Sequence, residues 1–246
     1  MTKLPTRALF WDIDGTLLVT GRAGMIAWEE AFASVSGGRA FPAVRPDGLT
    51  DHQIAAWLLG GEEQGRRDVQ ATAAALVRAY EQALAGALPQ RQGRVLDRVL
   101  DLLQWLRGER PQLISWLVTG NTLSGATAKL HHYGLIDYFR AASHGDRAAL
   151  PPLVGSFSSR VEPRAHIVRR ALQMAQSRIP GLRASEVLVI GDTPHDIEGA
   201  HAVGIPVLAV ASNTHTLDDL GAHRPWRLFS TLPPPAEFAA LLDATN

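Results

Sequence analysis

Ala8-Leu9-Phe10-Trp11-Asp12-Ile13-Asp14-Gly15-Thr16 runs four apolar residues into two acids and a glycine. An apolar run without alternation predicts a strand buried on both faces, and the Asp-Gly cluster that ends it predicts a turn. The same punctuation recurs twice. Leu113 to Val118 stops at Thr119-Gly120-Asn121, and Val187-Leu188-Val189-Ile190 stops at Gly191-Asp192-Thr193. Between these runs the period changes to that of amphipathic helices, predicted over 94–108, over 123–133 with Gly134 as the residue that closes it, and over 164–178. A short helix near 195–203 and a strand from Val207 to Val210 follow, and Tyr138 to Ser143 is a weaker strand candidate. Strands that alternate with helices predict an α/β fold, a doubly wound parallel sheet covered on both faces.

The alternation is interrupted once. Residues 21–36 predict a helix with Trp28, Phe32 and Val35 on one face. Thr50-Asp51-His52-Gln53 has the spacing of a capping box and predicts a helix through Leu58 that Gly60-Gly61 ends. Val69, Ala73, Leu76, Val77, Tyr80 and Leu84 form a third face between 66 and 86, and Pro89 to Gly93 break the pattern. Three helices with no strand between them predict a small helical unit, 19–90, inserted into a core made of 1–18 and 91–246.

Composition narrows the function classes. The chain has 246 residues, enough for a core domain plus a smaller one, and 24 basic side chains balance 24 acidic ones. That balance offers no general attraction to nucleic acid or to anionic membranes. Without cysteine there is no thiolate metal site. Met1 to Ala8 carries no apolar signal core, and no later run approaches the ~20 residues of a spanning helix, so a cytoplasmic location is expected.

In a parallel sheet the site lies beyond the carboxyl ends of the strands. Three strands here end at that edge in polar clusters: Asp12 with Asp14, Thr119 with Asn121, and Asp192 with Asp196. Each cluster alone is what a turn or a helix cap would use. Together they gather carboxylates, and two charges ~4 Å apart repel by about 4 kcal/mol at an effective dielectric near 20. Such a group protonates or recruits a cation. Magnesium suits it, since that ion accepts a few carboxylates and keeps positions for water and a substrate phosphate. The Thr119 hydroxyl and the amides of Gly120 and Asn121, at a strand-to-helix junction, suit the anion that would complete the site.

The motifs DIDGTLL, TGN and GDTPHD, in this order, resemble those of the haloacid dehalogenase-like superfamily of hydrolases, particularly its phosphoglycolate phosphatase-like phosphatases. The resemblance covers Leu9 to about Val210, and the stretch 19–90 is similar in position to the helical cap of many members. It implies a Rossmann-like core, an inserted cap, Mg2+ and an aspartyl-phosphate intermediate. Asp12 would be the nucleophile and a metal ligand. Asp14 would protonate the leaving alkoxide, then deprotonate the hydrolytic water, with its carbonyl on the metal. Gly15 permits the turn, Thr119, Gly120 and Asn121 would hold the phosphoryl oxygens, Asp192 would bind Mg2+, and Asp196 would support it directly or through water. The expected activity is hydrolysis of a small phosphate monoester, a phosphorylated metabolite, by a monomer or weak homodimer. A phosphomutase similar to β-phosphoglucomutase, or a non-catalytic relic that binds phosphate or a partner, are the alternatives.

One departure stands out. The family usually places a lysine between the second and last motifs to neutralise the phosphoryl group, and this chain has none there; its lysines are Lys3 and Lys129. Arg164, which opens a helix after Val161-Glu162-Pro163, is the expected substitute, with Arg160 and Lys129 as alternatives. An arginine supplies the same charge in a bidentate fork that suits phosphate. Asp51 could reach the site from the cap or act as a first-turn acid on a helix dipole. Trp28 and Trp57 are expected to pack, and His195 to face solvent or the cap.

Overall fold

The computed structural model describes residues 6–44, 46–60, 66–140 and 152–243, with the side chains of 66–68 excepted. The strands are β1 (Ala8–Trp11), β2 (Leu18–Val19), β3 (Arg94–Val95), β4 (Ile114–Val118), β5 (Gly155–Ser156), β6 (Val187–Gly191), β7 (Val207–Val210) and β8 (Arg227–Phe229). The helices are α1 (Ala23–Val35), α2 (Asp51–Leu58), α3 (Arg66–Ala87), α4 (Val99–Glu109), α5 (Leu123–His132), α6 (Arg164–Arg178), α7 (Pro194–His201), α8 (Leu217–Gly221) and α9 (Pro235–Leu242). No helix among the described residues is long and apolar enough to cross a membrane.

Six strands form one parallel sheet in the order β5-β4-β1-β6-β7-β8. β1 is central and every residue of it is fully buried, which is why its sequence is apolar without alternation. The two faces still divide by parity. Leu9 and Trp11 pack with Leu117, Leu188 and Ile190 against α4, α5 and α9, whereas Ala8 and Phe10 pack with Trp116, Val187 and Val189 against α6 and α7. The register pairs Trp11 with Leu117 on one side and with Ile190 on the other. The residues that follow these strands, Asp12, Thr119 and Asp192, therefore emerge at one edge.

The helices α1, α2 and α3 share a core of their own, in which Trp28 stacks on Tyr80 with ring centroids 4.0 Å apart. They are inserted between β2 and β3, which pair antiparallel as Leu18 with Val95 and Val19 with Arg94. The chain thus leaves the sheet domain and returns to it side by side.

Some expectations need correction. Val35 does not share the buried face of α1 with Trp28 and Phe32: it is 47% exposed, because it is the last residue of a helix that ends at Ser36. Of the weak strand expected from Tyr138 to Ser143, Tyr138 ends a 3-10 turn, Ile136–Tyr138, that follows the left-handed Gly134, and 139–140 pair as an isolated bridge, Arg140 with Leu153 and the Phe139 carbonyl accepting from the Val154 amide; the edge strand is Gly155–Ser156, and 141–143 lie outside the described residues. The helix expected over 94–108 starts only at Val99, since residues 94–95 are drawn into the ribbon with β2.

Candidate active site

Asp12 continues the β1 ladder, its amide donating to the Ile190 carbonyl at 3.0 Å. The chain then turns sharply at Gly15, whose φ is +79°; a Cβ there would fall 2.0 Å from Asp192 Oδ2, so both the conformation and the space require glycine. Asp192 follows β6. Asp196 lies in the first turn of α7, where Thr193 caps the helix and donates from N (3.1 Å) and Oγ1 (2.8 Å) to Asp196 Oδ2. One oxygen of each of Asp12, Asp192 and Asp196 lies within 4.8 Å of the others, and all three residues are buried. Burial pushes Asp12 up to about 6, against the attraction of Arg164 and with the help of Asp196 and Asp14. Asp192 is held well above the ordinary carboxylate range, first by burial and then by Asp12 and Asp196.

Two cations enter this acidic edge. Arg164 opens α6 and is 7% exposed. Its Nη2 donates to Asp12 Oδ1 at 2.6 Å, to the Val118 carbonyl at 3.1 Å, and to Asp196 Oδ1. Burial alone would depress its guanidinium, and Asp196 and Asp12 reverse that and hold it above its usual value. Lys129, on α5 and 4% exposed, donates to Asp14 Oδ2 at 2.6 Å and to Asn121 Oδ1 at 2.6 Å. Arg160 stays outside, with a side chain 64% exposed and paired to Glu162.

The loop after β4 completes the edge. Asn121 Nδ2 donates to Asp14 Oδ2 and to Thr119 Oγ1, each at 2.8 Å. The Asn121 amide also donates to Thr119 Oγ1, at 3.3 Å. Because that hydroxyl oxygen already accepts twice, its own proton remains to be donated. A Cβ on Gly120 would meet the Leu49 carbonyl at 2.7 Å and Arg164 Nη1 at 3.0 Å, so a side chain there would push the cap and the guanidinium away.

The cap reaches the same loop. Thr50 and Gln53 form the expected capping box at the start of α2. The Asp51 amide donates to the Gly120 carbonyl (2.8 Å), and Asp51 Oδ2 accepts from the Thr122 amide at 2.7 Å. Asp51 therefore does both things open to it in sequence, a first-turn acid of α2 that also touches the site. Burial pushes its carboxyl up to about 7, although Lys129 and the Thr122 amide oppose it. Glu81 of α3 accepts from Thr122 Oγ1 at 2.5 Å, His52 Nδ1 lies 2.7 Å from Ser158 Oγ, and Gln70 exchanges two hydrogen bonds with the Val161 backbone. Sequence reading missed Glu81, Gln70 and His52, because a polar residue on a helix face carries no sign of a partner more than forty residues away. Between cap and core lies a cavity of about 530 Å3, which Asp12, Asp14, Thr119, Lys129, Arg164 and Asp192 line on the core side. Met25, Trp28, Ile54 and Tyr80 line it from the cap, so Trp28 packs and forms a wall at once. Trp57 is 47% exposed, and exposed His195 lies against Gly48 of the cap.

The donor set fits a hard divalent cation: buried carboxylate oxygens, like in charge, that exceed the reach of one arginine. Asp12 and Asp192 are placed to hold it. Asp196 already uses Oδ1 on Arg164 and Oδ2 on Thr193. The contacts of the Asp14 side chain with Lys129 and Asn121 both fall on Oδ2.

Residues 6–204 match the model of the haloacid dehalogenase-like hydrolase family. The protein described as "Probable phosphatase IndB" of Dickeya dadantii (strain 3937) is 30% identical over 165 residues, 67% of this chain; the matched region spans 64% of that protein's own length. Among solved structures, a hydrolase from Pseudomonas syringae superposes with a TM-score of 0.66 at 18% identity, covering 96% of this chain and 99% of that one. CbbY from Rhodobacter sphaeroides in complex with phosphate gives 0.65 at 17%, covering 96% and 99%. A predicted phosphoglycolate phosphatase from Haemophilus somnus gives 0.59 at 17%, covering 98% of each chain. At these identities the structures share the fold, a sheet core with a helical insertion after its first strand.

Proposed function

The chain belongs to the haloacid dehalogenase-like hydrolases, and from that premise we propose that it is a Mg2+-dependent phosphatase that hydrolyses a small phosphate monoester through an aspartyl-phosphate on Asp12. The observation that carries the reading is the buried Asp12 carboxylate, paired at 2.6 Å with Arg164 and facing a cavity of about 530 Å3 beside the Thr119 hydroxyl. The name of the Dickeya relative supports it. In this reading the cap is the unit 19–90 and closes the cavity over a small substrate.

An Asp12 oxygen attacks phosphorus while the bond from phosphorus to the ester oxygen breaks, and the Asp14 carboxyl gives its proton to the departing oxygen. In the second step Asp14 takes a proton from water, the water oxygen bonds to phosphorus, and the acyl-phosphate bond breaks to return Asp12 and release phosphate. Two displacements replace one difficult one. Thr119 Oγ1 donates to a phosphoryl oxygen, aided by the amides of Gly120 and Asn121. Arg164 supplies the positive charge that the family obtains from lysine, and its fork can bridge the nucleophile and a phosphoryl oxygen. Asp12, Asp192 and the Asp14 carbonyl would hold Mg2+, with Asp196 in support, and the ion would supply positive charge against the phosphoryl oxygens during transfer. Arg164, buried against Asp12, favours this reading over that of a non-catalytic relic.

The test is phosphate release from a panel of phosphorylated metabolites and an aryl phosphate, with Mg2+ and with EDTA. Mg2+-dependent release is the expected result. A folded sample that releases none from any ester overturns the proposal, and transfer of the phosphoryl group between substrate positions without release would mark a mutase instead.

A further inference from the structure

We propose that Lys129 is a positioning residue for Asp14, one that fits the site to expel poor, alkoxide leaving groups; the inference rests on the phosphatase reading above. Asp14 sits on a turn with its side chain 43% exposed, where a carboxyl is ordinarily free to rotate. Here Oδ2 is gripped from two directions, by Lys129 Nζ at 2.6 Å and by Asn121 Nδ2 at 2.8 Å, which leaves Oδ1 to meet a substrate.

The grip on Asn121 also depends on Lys129. Lys129 has only donors to offer, so the amide it touches must present its oxygen. The Asn121 Oδ1 contact at 2.6 Å therefore turns Nδ2 towards Asp14 and Thr119. Without the ammonium Asp14 Oδ2 keeps only the Asn121 Nδ2 contact, and Asn121 Oδ1 loses the donor that helps to fix the amide, so the hold on Asp14 loosens. A buried ammonium is costly unless paired, and Lys129 is 4% exposed in the middle of this arrangement. The two cations of the site divide the work: Arg164 grips Asp12, where the phosphoryl group bonds, and Lys129 grips Asp14, where the proton moves.

Chemistry makes the division visible. When the Asp14 proton passes to the ester oxygen and the P–O bond breaks, the electron pair stays on the departing alcohol, and negative charge grows on Asp14 beside a preorganised ammonium. An alkyl phosphate needs that proton. A nitrophenyl phosphate needs it far less, because its phenolate leaves unaided. A residue that merely holds the fold would slow both esters alike.

The experiment measures kcat/KM, which reports the steps through alcohol release, for an alkyl phosphate and for 4-nitrophenyl phosphate, each with Mg2+. In Lys129→Met the alkyl-to-aryl ratio should fall by about 30-fold or more, within the range of a well-placed general acid. Lys129→Gln, which keeps a polar group of similar length, should lower the ratio in the same direction, and it carries the test if the methionine variant does not fold. Equal losses on both esters, or no loss, in a folded variant overturn the inference while leaving the phosphatase reading intact. No release by the wild type from either ester overturns both.

Discussion

Replacing Arg164 by methionine keeps much of the side-chain volume and deletes the guanidinium that joins Asp12 to Asp196. Two charge-assisted hydrogen bonds go with it, the first at 2.6 Å. Breaking a buried ion pair from one side costs about 3–5 kcal/mol, because the carboxylates are left behind without a partner. For a chain of this size each kcal/mol moves the midpoint by about 2–4 °C, so Tm in EDTA should fall by roughly 6–20 °C. Mg2+ should then raise the Tm of the variant more than that of the wild type, since a ligand held only by the native state stabilises it by about 2.7 kcal/mol at 100 times its Kd and the uncompensated acids bind it more tightly. Turnover should drop by about 100-fold or more, the scale of losing one preorganised charge partner of a transition state, and Arg164→Lys should retain much of the rate. Arg160→Ala, which alters a side chain 64% exposed, should change neither quantity. Differential scanning fluorimetry with a phosphate-release assay reads all of this. An Arg164→Met protein with unchanged Tm and a rate within tenfold of wild type refutes the reasoning, and a large loss in Arg160→Ala instead would transfer the role.

Asp12→Asn should abolish turnover because an amide does not attack phosphorus, while Tm should stay near that of wild type: Arg164 loses one partner but keeps Asp196, and the burial and like-charge repulsion that push the Asp12 carboxyl up to about 6 are relieved; activity within tenfold of wild type removes Asp12 from the role. Vanadate or fluoroaluminate with Mg2+ should raise Tm, and Asp192→Ala should weaken the shift; the same shift in the mutant means the acidic cluster does not hold the metal. Asp51 tests a pH effect: its folded carboxyl, raised from 3.8 to about 7, binds a proton that the unfolded chain has already lost between those values. Stability from that carboxyl is present below about pH 4 and lost as pH rises through 7, a change worth about 4 kcal/mol. Asp51→Asn still accepts from the Thr122 amide and has no proton to lose, so it should out-melt wild type at pH 8 by more than at pH 5; a gap that ignores pH excludes the effect.

The sheet could be read from sequence because its strands are buried on both faces and end abruptly in acids, threonine and glycine. Parallel topology then brought Asp12, Thr119 and Asp192 to one edge without any knowledge of contacts. β2, β3 and β5, at two residues each, are too short to carry a period, and the half-buried β8 looks like a loop. Lys129 shows the other limit. A lysine near the end of an amphipathic helix is ordinarily solvated, and only the folded chain reveals it 4% exposed against Asp14. The grip of Asp51 on Thr122 was likewise invisible, since it joins segments 71 residues apart in two different units.

The hydrogen bonds that Asp51 and Glu81 make to residues 120–122 mean that the insertion is not an interchangeable module. The loop that would cradle the phosphoryl group takes part of its shape from helices belonging to the other unit. A chimera carrying a relative's cap would then lose rate even on a substrate too small to touch that cap, and would recover it only if the graft brought its own acid to the Thr122 amide. In the phosphatase reading, selectivity and turnover would then change together as the insertion changes.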